Sequence, residues 1–217
     1  MKPFIRVKIC GLTSVDDALH ACHSGADAIG LVFYAKSSRA VSIEQASGIA
    51  ASLPPFVQRV ALFVNETKEK VQSVLEAVDI DLLQFHGDED CRYCESFSRP
   101  YIKALRMKPG LDVEAAMAAY PSAKGFLLDA YTPGIPGGTG QTFNWQEFPK
   151  QTNKPVILAG GLHADNVAEA IAICQPYAVD VSGGVEISPG KKSQDKVKTF
   201  VSNAKRRCHG NKNAKRG

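Results

Sequence analysis

The chain has 217 residues, 44% hydrophobic and 22% charged, with six cysteines and a formal net charge of +4. That mix belongs to an ordinary globular domain and excludes a disordered, collagen-like or purely coiled chain. At roughly 150 residues per domain, one large unit accounts for the length, and its core can bury about 70% of the unfolded surface without a disulfide staple.

Along the chain, short β-rich runs alternate with runs of helical period. Strands are predicted at Phe4 to Cys10, Asp27 to Phe33, Gln58 to Phe63, Asp81 to Gln84, Tyr101 to Leu105, Gly125 to Asp129, Val156 to Ala159 and Ala178 to Asp180. Between them, Val15, Ala18, Leu19 and Cys22 fall at helical spacing, as do Ile43, Ala46, Ala50 and Leu53, then Val71, Val74, Leu75 and Val78, then Val167, Ala168, Ile171 and Cys174. Ser14, Ser42, Thr67 and Asp165 stand where helix caps belong, whereas the stretches after strands four, five and six carry the weakest helical pattern. Strand starts recur every 20 to 31 residues, which suits helical crossovers between parallel strands and is too long for hairpins. Eight such units predict an α/β fold, a single (β/α)8 TIM barrel; an open doubly wound sheet is the alternative, but no G-x-G-x-x-G follows the first strand.

Charges interrupt the apolar run at the N-terminus, and no later stretch reaches the roughly 20 apolar residues of a bilayer span, so a cytoplasmic protein without a membrane partner is expected. Cys10, Cys22, Cys91, Cys94, Cys174 and Cys208 lack framework spacing and read as reduced thiols. Cys91 and Cys94 form a lone C-x-x-C without the further ligands of a zinc site; they read as two thiols on one short helix, and no metal is expected. The last fourteen residues hold six bases and no acid, and without them 20 bases face 22 acids. The body is therefore mildly acidic, no nucleic-acid partner is expected, and the chain divides into a barrel over residues 1–203 and a basic, unstructured tail over residues 204–217.

In such a barrel the chemistry sits where strands end and loops begin. Those positions are polar here: Cys10 with Gly11, Arg39, Asn65, Gln84 with His86, Arg106, Asp129, Gly160 with Gly161, and Asp180 with Ser182, Gly183 and Gly184. The glycine pairs after strands seven and eight suit a phosphate, because glycine lets backbone N–H groups approach an anion closely. Cys10 and Asp129 are the candidates for proton transfer. Strand parity puts Lys8 and Cys10 on one face, and Leu127 and Asp129 on one face, so both groups can enter the barrel mouth. Lys8, pointing inward, needs an anionic partner, and Asp180 on the neighbouring last strand is the candidate.

The runs Lys8-Ile9-Cys10-Gly11-Leu12-Thr13, Gln84-Phe85-His86-Gly87, Leu128-Asp129, Gly137-Gly138-Thr139-Gly140 and Ala159-Gly160-Gly161-Leu162 resemble phosphoribosylanthranilate isomerase, in order and spacing, from Lys8 to about Phe200. The resemblance implies the third step of tryptophan biosynthesis: an Amadori rearrangement of a phosphorylated aminoaldose, without metal or organic cofactor, by a monomer or homodimer. It also implies that Asp129 is the general acid, Cys10 the general base, and Arg39 the partner of the anthranilate carboxylate. The family more often carries proline at Ser38 and serine at Gly183. Other sugar-phosphate barrels fit less well, since one would place an acid at Cys10 and another would need metal-binding histidines on several strands. A non-catalytic binding protein would not need both proton-transfer residues.

Overall fold

Parallel strands cannot be joined by tight turns, so every strand here is followed by a crossover that returns the chain to the same end of the sheet. The computed structural model describes residues 5–131 and 142–206. Its strands β1 (Arg6–Cys10), β2 (Ala28–Val32), β3 (Gln58–Phe63), β4 (Leu82–Phe85), β5 (Tyr101–Met107), β6 (Gly125–Ala130), β7 (Val156–Leu158) and β8 (Ala178–Val181) pair in sequence order and close into a barrel. The closing seam joins β8 to β1 in parallel, with Lys8 opposite Asp180. The (β/α)8 architecture expected from the spacing is the one observed.

Outside the barrel lie α1 (Val15–His23), α2 (Ile43–Ser52), α3 (Lys68–Ala77), α4 (Cys91–Glu95), α5 (Val113–Ala118), α6 (Val167–Cys174) and α7 (Gln194–Lys205). Ser14, Ser42 and Thr67 each accept a backbone N–H of the first helical turn, and Gln45 reaches back to complete a capping box with Ser42. Asp165 does not cap α6. Asn166 occupies the cap position, and its amide is spent on the loop, accepting from His163 N–H and donating to the Gly161 carbonyl. The weak helical pattern after strands four and five yields helices of only 5 and 6 residues, with Cys91 and Cys94 both on α4. After β6 the described residues hold one 3-10 turn, Trp145–Glu147, and the Gly137-Gly138-Thr139-Gly140 run lies outside them.

Packing forms two layers. Outward residues such as Ile9, Leu31, Phe63, Phe85, Phe126 and Leu128 meet the helices in one large cluster, as the strand parity requires. Inward residues form small clusters inside the barrel: Val60, Leu82 and Ile102 in one layer, and Cys10, Val32 and Leu62 nearer the C-terminal mouth. Two helix faces differ from their expected stripes. Val15 and Ala168 are exposed, while Ala21 and Ala170 are buried, because small alanines let the helices lie close to the strands. The last helix also runs past the expected boundary: α7 continues to Lys205 with Ala204 buried, and residues 207–217 lie outside the described chain. One element was not anticipated, a hairpin of β9 (Glu186–Ser188) and β10 (Lys191–Lys192) that follows β8.

Candidate active site

The C-terminal mouth of the barrel opens into a cavity of about 260 Å³ whose lining includes eleven of the fourteen strand-end residues singled out above: Cys10, Arg39, Gln84, His86, Asp129, Gly160, Gly161, Asp180, Ser182, Gly183 and Gly184. Asn65 and Arg106 are used elsewhere. The Asn65 side chain accepts the Asp88 N–H at 2.7 Å, and Arg106 pairs with the Asp88 carboxylate.

Cys10 ends β1 and is 5% exposed. Burial pushes its thiol pKa up, the Lys8 ammonium pulls it down, and Asp180 opposes Lys8. Lys8 Nζ bonds Asp180 Oδ1 at 2.8 Å across the barrel seam, the pairing expected for an inward lysine. Burial lowers the Lys8 pKa, but Asp180 and Cys10 outweigh it and the net shift is upward, so Lys8 stays an ammonium. Gly30 on β2 makes room for both groups: a Cβ there would stand 2.7 Å from Cys10 Sγ and 3.1 Å from Lys8 Nζ.

Asp129, near the end of β6, is held by a backbone N–H and an imidazole. Its Oδ1 accepts the Ala130 N–H at 2.9 Å, and its Oδ2 lies 3.1 Å from His86 Nε2. His86 Nδ1 is in turn 3.0 Å from the Gln84 side-chain nitrogen, which donates to it and leaves the imidazole proton on Nε2, facing Asp129. Gln84 Oε1 is buried without a partner among the described residues. Gly160, at φ +82°, closes over this side, since a Cβ there would meet Asp129 Oδ1 at 2.9 Å and Ala130 N at 2.5 Å.

Between these two sides run the glycine turns. Gly160 and Gly161 both have positive φ, and their N–H groups find no acceptor among the described residues, so the donors are available to an anion. Arg39 reaches over the cavity from the loop after β2. Its Nε and Nη2 both bond Glu186, each at 2.8 Å, so one side of the guanidinium is already filled.

The family model described as N-(5'phosphoribosyl)anthranilate (PRA) isomerase matches residues 7–203. The chain belongs to the phosphoribosylanthranilate isomerase family. It is 59% identical over 199 residues to N-(5'-phosphoribosyl)anthranilate isomerase of Pseudomonas paraeruginosa, which covers 92% of this chain and 94% of that relative. It is similar to the crystal structure of phosphoribosylanthranilate isomerase from Thermotoga maritima, with 44% identity and a TM-score of 0.85 over 93% of this chain and 98% of that one. A second similar structure, with 41% identity, a TM-score of 0.82 and the same coverage, is an isomerase in complex with reduced 1-(o-carboxyphenylamino)-1-deoxyribulose 5-phosphate.

Three residues that shape the site of this isomerase escaped the sequence reading. Gly30 is one glycine inside an apolar strand, and only its closeness to Sγ and Nζ marks it. Glu186 and Lys192 sit on the short hairpin, on either side of Pro189-Gly190, where no apolar period marks them. Both are in fact buried, at 7% and 3% exposure, and Lys192 Nζ bonds Glu186 Oε1 at 2.8 Å.

Proposed function

We propose that Cys10 and Asp129 are the base and acid with which this chain isomerises N-(5'-phosphoribosyl)anthranilate to 1-(2-carboxyphenylamino)-1-deoxyribulose 5-phosphate, the third step of tryptophan biosynthesis. Asp129 protonates the furanose oxygen, the C1–oxygen bond opens and the substrate nitrogen takes up the electron demand as a Schiff base. Cys10 as thiolate then removes the C2 proton to give an enolamine, which tautomerises to the ketone. The observation that carries this reading is the meeting of a cation-flanked thiol and a hydrogen-bonded carboxyl in one cavity. Each such group typically contributes about 10² to 10⁴ in rate.

The substrate phosphate is assigned to the N–H groups of Gly160, Gly161, Gly183 and Gly184, beside Ser182, and the carboxylate to the free end of Arg39. The test is turnover of freshly generated N-(5'-phosphoribosyl)anthranilate, followed by its change in fluorescence. No turnover by the purified chain would overturn the assignment.

The same reading places the protein in the cytoplasm, where the five described cysteines would stay the free thiols they are. No helix among the described residues is long and apolar enough to cross a membrane. Of the two states expected, monomer or homodimer, we infer the homodimer. A relative from T. maritima is described as dimeric, and Phe56, on the loop before β3, is fully exposed with φ +69°, a backbone conformation that a bulky residue adopts at a cost. Burial of that ring against a second copy would offset the cost. Light scattering should give a dimer mass for the wild type and a monomer mass for Phe56→Asp, with kcat unchanged; a monomeric wild type would refute the assembly.

A further inference from the structure

The hairpin after β8 has no part in closing the barrel, yet it carries two buried charges to the rim of the cavity. Glu186 Oε1 accepts from Arg39 Nε and Oε2 from Arg39 Nη2, both at 2.8 Å, with the arginine side chain 17% and the glutamate side chain 5% exposed. Lys192 Nζ bonds the same Oε1 at 2.8 Å and also reaches the Ser182 carbonyl at 3.3 Å and the Ser182 hydroxyl at 3.5 Å. The Arg39 stem is confined as well: a Cβ at Gly11 would lie 2.6 Å from its Cδ. One carboxylate thus serves two cations, and a positive charge is left over at the cavity. Arg39 Nη1 has no acceptor among the described residues, so the end of the guanidinium formed by Nη1 and Nη2 still presents two parallel donors.

We infer that Glu186 is a positioning residue for the isomerisation: it takes the Nε side of Arg39 so that the Nη1–Nη2 end is aimed at the substrate carboxylate, and Lys192 ties this pair to the Ser182 turn of the phosphate loop. The inference rests on the reading of Arg39 as the carboxylate partner. Desolvation acts to raise the Glu186 pKa, but its bonds to Arg39 and Lys192 outweigh that and hold it as a carboxylate. Without it, a long side chain on a loop must find its orientation anew in each encounter, and two neighbouring cations repel each other.

The test compares two inhibitors: reduced 1-(o-carboxyphenylamino)-1-deoxyribulose 5-phosphate and the same compound lacking the ring carboxylate. The wild type should bind the carboxylated compound roughly 10- to 100-fold more tightly, the size expected for a charge-assisted pair. In Glu186→Ala and the isosteric Glu186→Gln, most of that preference should vanish and KM should rise by a similar factor, while kcat and the affinity for the compound without the carboxylate change little. If Glu186→Ala does not fold, Glu186→Gln gives the same readout. A preference that survives in a folded Glu186 variant overturns the role of Glu186 alone. A wild type with no preference overturns the Arg39 reading and this one with it. Equal loss for both compounds would show a merely structural residue and would also overturn the inference.

Discussion

The two sides of the cavity hold their reacting groups by different means. Cys10 stands among full charges: the buried Lys8–Asp180 pair lies beneath it, and Arg39, Glu186 and Lys192 form a chain at the rim. Asp129 meets an imidazole, an amide chain and one backbone N–H. The difference follows from the task. A buried thiol is reluctant to ionise and needs a nearby cation to make its anion accessible. A carboxyl that must deliver a proton would be spoiled by a cation, which would keep it ionised, whereas an imidazole can share the proton with it.

Removing either reacting group is the strongest way to break this comparison. Cys10→Ala and Asp129→Asn should each lower kcat by roughly 10² to 10⁴ or more, with KM within a small factor, because each loses a transition-state proton transfer and keeps ground-state contacts. Near-normal kcat in either variant would remove that side from the mechanism.

Charge should matter on one side only. Burial raises the Cys10 pKa and Lys8 counteracts it, so kcat/KM should rise with pH through the neutral range as the thiolate fraction grows. Lys8→Met removes the lowering influence and leaves Asp180, which pushes the same way as burial. The rising limb should therefore move to higher pH by about one unit or more, with activity near neutrality down roughly tenfold per unit. An unshifted limb would show that Lys8 does not act on the thiol.

Gly30→Ala sharpens the comparison without removing a charge. The new methyl would stand 2.7 Å from Sγ, so the thiol must move, and a displacement of that kind costs roughly 10- to 100-fold in kcat. Thermal unfolding should separate this from a general loss of the fold; a variant with wild-type kcat would mean that the position of Sγ is not critical.

How much of this was readable beforehand depended on the length of the pattern. The eight strands have β-branched runs of regular parity and spacing, so the barrel and the inward direction of Lys8, Cys10 and Asp129 followed from the chain itself. Helix faces were harder. In α1 the apolar spacing pointed to Val15, Ala18, Leu19 and Cys22; Ala18 is buried as that stripe requires, but Val15 is exposed and Ala21, whose small size gives little hydrophobic signal, is buried in its place. The hairpin was illegible because strands of 3 and 2 residues have no period to detect. Nothing in the chain therefore marked Glu186, or its hold on one side of the Arg39 guanidinium.

The smallest expected effect concerns the end of the chain. Truncation after Arg206 keeps all of α7 and removes only a basic run with no apolar period, so kcat and Tm should stay at the full-length values; a clear loss in either would show that these residues pack on the barrel.

The seam between β8 and β1 also sets an order of events during synthesis. Lys8 and Asp180 are 172 positions apart in the chain, and at ribosomal speeds of about 5 to 20 residues per second the lysine waits roughly 9 to 35 seconds for its partner. During that interval the nascent chain has a first strand whose ammonium has nowhere dry to go, which disfavours early collapse of β1 into a barrel of fewer strands. The lysine that tunes the thiol thus also favours closure only when the eighth strand has arrived.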